Sequence, residues 1–232
     1  MYYSPMQESY YEDKTQEFRR QLSRTYGFMA LGLAVTFGAA LLTVLFIPLL
    51  ALNFYLSVFL MIAEVVTVIA FSALLPRAKF GTVVGMFFFY AVLNGVSISY
   101  IFLLYDLTNI FLCFAAAAIS FGVMALLGHS TKRDLTSFGN IFIAGLVGLV
   151  LLIVVNFFLS SSTVEIIISC IGLFLFLGIT AFDAQRLRRF YESGGADTEM
   201  AKKFAVYSAL QFYLDFINIF FYLVRLLGRS RR

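Results

Sequence analysis

Seven apolar stretches, each close to the length of a bilayer-spanning helix, decide what this chain can become. They cover residues 26–50, 54–75, 82–105, 110–127, 138–159, 164–182 and 204–227. A spanning helix needs about 20 mainly apolar residues. With 61% hydrophobic residues, 13% charged residues and a mean hydropathy of +0.91, the chain has too little polar surface to wrap one aqueous core. A soluble domain carries roughly 45–50% apolar and about 25% charged residues. The bilayer must therefore act as solvent, and lipid offers no hydrogen bonds, so each span has to satisfy its own backbone as α-helix. The expected fold is an all-α integral membrane protein, a bundle of seven transmembrane helices. The fourth stretch is the shortest, and the sixth runs on past Asp183. Links are brief, so neighbours in sequence should be neighbours in space. Pro48 and Pro76 close the first two spans.

Three regions follow. Residues 1–24 are polar and tyrosine-rich, with Glu8, Glu12, Asp13 and Glu17 set against Lys14, Arg19, Arg20 and Arg24. They hold no apolar stretch and so do not form a cleavable signal peptide; they read as a mobile cytosolic tail. Residues 25–228 form the seven-helix domain, and residues 229–232 a basic end. Tryptophan is absent, so the 13 tyrosines must supply the interfacial belt.

Loop charges orient the chain. The tail carries Lys14, Arg19, Arg20 and Arg24, the link at residues 51–53 has no Lys or Arg, and Arg77 and Lys79 follow. The Asp106 link has none, Lys132 and Arg133 come next, and the link at residues 160–163 again has none. Arg186, Arg188, Arg189, Lys202 and Lys203 complete the pattern. Positive residues stay inside, which puts the N-terminus on the cytoplasmic side. The last span breaks the alternation, because its C-terminal end carries Arg225, Arg229, Arg231 and Arg232. Either the rule yields there or the segment is re-entrant; its length favours a full crossing.

Several classes drop out. Cys113 and Cys170 lie in apolar runs and read as buried thiols, and His129 is the single histidine, with no Cys/His cluster around it. No nucleophile elbow, P-loop or HExxH occurs. The expectation is a protein that is not an enzyme, with no cofactor and no resident metal. The formal charge of +4 does not suggest nucleic acid, because its basic residues flank spans.

Three ionisable residues sit where lipid penalises them, by about 2.5–3.5 kcal/mol on insertion scales. They are Glu64 in the second span, Asp183 near the end of the sixth and Asp215 in the middle of the seventh. Tyr207, Gln211, Asp215, Asn218, Tyr222 and Arg225 recur every three or four residues, a polar stripe on one helical face. Such a stripe lines an aqueous path, with Gln211 and Asn218 beside it, or forms a hydrogen-bonded seam between helices. Asp183 reads equally as a helix-end residue at the interface. If the last two spans form a hairpin turning near Asp197, the two aspartates come to similar depth. Two close carboxylates in low dielectric share a proton and titrate as one unit, a pH sensor. Glu64 shares a weakly polar face with Ser57, Met61 and Thr67; Tyr90, Asn94 and Ser97 form another on the third span. Gly81 and Gly85 read as a small-xxx-small packing contact. No Gly- or Pro-interrupted span appears to host a transporter's binding site.

The chain resembles the Bax inhibitor family, most of all its bacterial branch. The resemblance rests on Leu93-Asn94-Gly95-Val96-Ser97, on Thr131-Lys132-Arg133-Asp134-Leu135-Thr136-Ser137-Phe138-Gly139, on Ile179-Thr180-Ala181-Phe182-Asp183-Ala184-Gln185, and on Tyr213-Leu214-Asp215-Phe216-Ile217-Asn218. It implies seven helices with the last one central and a pH-sensitive calcium leak, calcium being transported cargo and protons the regulator. The family's paired aspartates fall on Asp183 and Asp215, and its acidic residue of the second helix on Glu64, all three as transient calcium contacts. Some members latch the first aspartate with an arginine after the second helix; the nearest counterpart is Arg77, which follows Pro76. Phe182 stands where tyrosine is common in the family. A second expectation of a different class is a membrane interaction protein that modulates a membrane protease or another integral partner, since buried polar groups can simply specify packing.

Overall fold

The computed structural model describes residues 5–48, 53–192 and 199–228. The Ala51 link, the turn expected at Asp197 and the basic end 229–232 lie outside the described residues. Seven long helices carry the chain: α1 Pro5–Phe46, α2 Phe54–Leu74, α3 Phe80–Ile98, α4 Leu107–Ser130, α5 Gly139–Leu159, α6 Ser162–Glu192 and α7 Glu199–Leu227. A one-turn helix, Ile101–Leu104, continues the third span, and a 3₁₀ turn, Thr136–Phe138, leads into α5. There are seven helical stretches long and apolar enough to cross a membrane, and no strand occurs among the described residues. The chain is a seven-span all-α membrane protein.

The boundaries follow local chemistry. The Asn53 side chain accepts the Leu56 N–H and starts α2, satisfying one of the amides that every helix start leaves open. Ser160 takes a left-handed conformation, φ 49°, to end α5, while Asn156 Oδ1 accepts the Ser161 N–H at 3.2 Å. At the lipid-facing helices large apolar side chains lie bare. Only 6% of the α5 span and 11% of the α2 span is buried, against 61% of the α7 span. The last helix is thus the most enclosed of the seven.

Five expectations are corrected. The polar residues after Pro5 do not form a separate mobile tail: they are the first turns of α1, which runs 42 residues without a break at residue 25. Pro fits a first helical turn, and Glu, Gln, Arg and Leu favour helix regardless of hydropathy. Gln21 and Thr25 are 1% and 0% exposed, so the helix is already packed there. The fourth span is not short, because its polar ends, from Leu107 to Ser130, are helical as well. Asp183 is not a helix-end residue, since α6 continues to Glu192. The third span is interrupted at Ser99 and Tyr100 although neither Gly nor Pro marks the place; Ser99 Oγ donates to the Val96 carbonyl at 2.7 Å, a local bond that competes with the helical ladder. Finally, Gly81 and Gly85 have nothing within 4 Å of a would-be Cβ among the described residues; the close approach on α3 is at Gly95, where a Cβ would lie 2.5 Å from the Thr36 carbonyl oxygen.

The re-entrant alternative for the last segment falls too. An unbroken helix of 29 residues, about 43 Å long at 1.5 Å per residue, contains no chain reversal.

The helices group into two compact units. One comprises residues 1–101 and 187–213, the other residues 102–186 and 214–232. In the first, α1 and α2 pack on α3, with Tyr213 of α7 enclosed by edge-on rings of Phe87 and Tyr90 at 6.0 and 5.8 Å. In the second, Phe216 of α7 lies edge-on to Phe114 and Phe121 at 5.0 and 6.0 Å. Gly172 of α6 lets the Tyr222 ring approach to 2.3 Å from where a Cβ would stand.

Candidate functional site

Among the described residues each unit holds an acidic centre, buried in the second unit and half-buried in the first. In the second unit, α6 brings Asp183 and α7 brings Asp215, 9% and 3% exposed. The structure places them together, close enough for the Asp183 charge to act on Asp215. The Thr180 hydroxyl, one turn before Asp183, is a hydrogen-bond partner of Asp215 and also donates to the Phe176 carbonyl at 2.8 Å. A hydroxyl has one proton and two lone pairs. Thr180 can therefore donate to a charged Asp215, or donate to Phe176 and accept from a protonated one. Asp215 Oδ2 is buried without a hydrogen-bond partner among the described residues. Arg186 supplies the positive charge that acts on Asp183.

The Asp183 stretch is held rigidly. A Cβ on Gly128 of α4 would stand 2.2 Å from the Ala181 carbonyl oxygen, so only glycine admits that backbone approach. Gln185, 5% exposed, accepts the Leu135 N–H at 2.8 Å and donates to the Arg133 carbonyl at 2.7 Å. That side chain ties the link between α4 and α5 to α6, two residues beyond Asp183. Phe182 meets the Phe142 ring edge-on at 5.7 Å, a contact that needs no hydroxyl.

The polar stripe of α7 divides. Asp215 and Tyr222 are buried, Gln211 and Asn218 half-buried, and Arg225 exposed. Four residues turn a helix through about 400°, so each four-residue step drifts about 40°. Two such steps take Asp215 away from the Tyr207 line and into the packed side. Gln211 Nε2 donates to Tyr207 Oη at 3.2 Å, and Asn218 Nδ2 to the Leu214 carbonyl at 2.8 Å. Arg77 is exposed in the turn after α2. Cys113 is buried, its Sγ 3.7 Å from the Leu223 carbonyl, and both cysteines are free thiols.

In the first unit, the two polar faces of α2 and α3 meet. Asn94 and Ser97 are hydrogen-bond partners of the Glu64 carboxyl, and Tyr90 and Tyr213 lie within its electrostatic reach. Glu64 Oε1 is buried without a hydrogen-bond partner among the described residues. The network extends further: Tyr213 Oη donates to Asn94 Oδ1 at 2.9 Å and meets Thr36 Oγ1 at 2.6 Å. Sequence reasoning missed Thr36, Thr180 and Tyr213. Tyr213 and Thr180 had a signal, since they lie in the runs that carry Asp215 and Asp183; Thr36 had none, because a threonine in an apolar span can satisfy itself on its own helix.

A family model described as "Inhibitor of apoptosis-promoting Bax1" matches residues 18–232. An uncharacterized Rickettsia prowazekii protein is 39% identical over 215 residues, covering 92% of this chain and 91% of that one. The inner membrane protein YbhL of Escherichia coli is 36% identical over 214 residues, covering 90% and 92%. An uncharacterized Deinococcus radiodurans protein is 38% identical over 215 residues, covering 93% and 92%.

Proposed function

Since the chain belongs to the Bax inhibitor family, we propose that it is a proton-regulated calcium leak of a bacterial inner membrane, gated by Asp183 and Asp215. The observation that carries the reading is the burial of two carboxyls within electrostatic reach of each other, one with an oxygen left without a partner. A packing seam needs no second acid beside the first. With one proton shared, the pair carries a single negative charge, balanced by Arg186. A second proton leaves it neutral and removes its hold on that arginine, so α6 and α7 separate more easily around the pair. Acid therefore increases the leak, over about pH 5 to 8. Calcium, as cargo, contacts Asp183 and Asp215 in passing, with Asn218 on the same helix as Asp215, and Glu64, Gln211 and Arg77 are the candidate calcium-contact and gating residues of the other unit. The protein carries out no catalytic step and holds no cofactor, and its N-terminus is cytoplasmic. The lipid bilayer is its medium, and nucleic acid is not a partner.

The test is the purified chain in liposomes loaded with a calcium-sensitive dye, with calcium added outside. Influx that rises on acidification supports the reading. Absence of influx at every pH sinks it and moves the assignment to a membrane protein that acts by binding another, such as a membrane protease.

A further inference from the structure

The first unit carries a hydrogen-bond chain whose proton count has two solutions. Its members come from four helices: Glu64 from α2, Asn94 from α3, Tyr213 from α7 and Thr36 from α1. Asn94, Tyr213 and Thr36 are 4%, 0% and 2% exposed, so water does not complete their bonding. Thr36 Oγ1 stands 2.9 Å from the Ala91 carbonyl, 2.9 Å from the Gly32 carbonyl and 2.6 Å from Tyr213 Oη. Two hydroxyls have two protons to place. If Tyr213 donates to Asn94 Oδ1, its own oxygen must accept from Thr36, and the Asn94 Nδ2 end is left to donate toward Glu64. That order suits a carboxylate, which only accepts. A protonated Glu64 needs an acceptor instead. Turning the Asn94 amide over supplies Oδ1 to it, and every later bond then reverses: Asn94 Nδ2 donates to Tyr213, Tyr213 to Thr36, and Thr36 to the Ala91 or Gly32 carbonyl. Both orders satisfy every member, and only hydroxyl rotors and one amide move.

We propose that Glu64 is a proton-binding site of its own, and that its charge sets the direction of the Glu64–Asn94–Tyr213–Thr36 chain. The assignment stands on these bonds and not on calcium passage or the aspartate pair. Among the described residues, the titratable groups facing Glu64 are Tyr90 from α3 and Tyr213 from α7. Beside the chain, the Gly95 and Thr36 backbones approach too closely for even a Cβ. Tyr213 and Thr36 are therefore positioning residues for Glu64, which Thr36 reaches only through the chain.

Infrared difference spectra of the full chain in liposomes, between neutral and acid pH, read both ends. Acidification should raise a carboxyl C=O band that Glu64→Gln removes and shift a tyrosine C–O band that Tyr213→Phe removes. The tyrosine band should fall silent in Glu64→Gln as well. Thr36→Val, a near-isosteric change away from the carboxyl, should move the midpoint of the Glu64 band by about half to one pH unit, the worth of one hydrogen bond. Should Glu64→Gln not fold, Tyr213→Phe and Thr36→Val decide alone. A Glu64 band that responds to Ser97→Ala while the tyrosine band stays still means that Ser97 takes the proton, and overturns the chain. So does a midpoint untouched by Thr36→Val, or a carboxyl that never titrates between about pH 4 and 9.

Discussion

Glycines separate the side chains that hold the aspartate centre from those that merely line the lipid. Gly128→Leu would drive a side chain into the Ala181 backbone oxygen, which has no rotamer to yield, from a start of 2.2 Å at the Cβ. Overpacking costs typically 1–3 kcal/mol when neighbours can shift, and here the neighbour is backbone, so the loss should reach about 3 kcal/mol or more. Gly148→Leu, with nothing within 4 Å, should be neutral. Thermal unfolding in detergent followed by size-exclusion fluorescence distinguishes the two, and equal midpoints would remove Gly128 from the account. The sequence announced the acids at this scale, because charge inside an apolar run is costly wherever it points. It did not announce Thr36, whose hydroxyl can bond its own helix and so costs nothing in a span. Nor did it separate Gly128 from Gly81, since only the partner across the contact does that.

Gln185 acts on a whole element. Its amide ties the link after α4 to α6, with bonds of 2.8 and 2.7 Å. Gln185→Leu leaves the Leu135 N–H and the Arg133 carbonyl unpaired, about 1–3 kcal/mol for each that stays buried. The link carries Lys132 and Arg133, so limited trypsin digestion of the purified protein should cut there several-fold faster in the variant. An unchanged rate would mean that the link is held by something else. Helix existence was legible from hydropathy alone, and the seven spans stand where the apolar runs do. Helix ends were not, because Glu192, His129 and the residues after Pro5 extend helices into polar sequence, where propensity rather than hydropathy decides. The break at Ser99 was hidden for the same reason: serine satisfies a backbone carbonyl locally without the Gly or Pro that usually marks a kink. On α7, reading four-residue steps as one face put Asp215 in line with Gln211, while helical drift turns it to the packed side.

The whole molecule crosses the bilayer seven times, which makes sidedness testable. In a background lacking Cys113 and Cys170, single cysteines at Arg77, Lys132 and Arg186 should resist a membrane-impermeant maleimide applied to intact cells. Cysteines at Asp106 and Ser161 should label. Labelling of both sets from one side would contradict the orientation. The central claim, that Asp183 and Asp215 are one proton-binding unit controlling calcium passage, is tested most directly by calcium influx into liposomes across about pH 5 to 8. The chain, Asp183→Asn, Asp215→Asn and the double variant should be compared at equal reconstituted protein. Each single variant should flatten the pH response, and the double variant should add little to either, because groups that share a proton are not additive. A double variant that keeps the full pH response would contradict the claim.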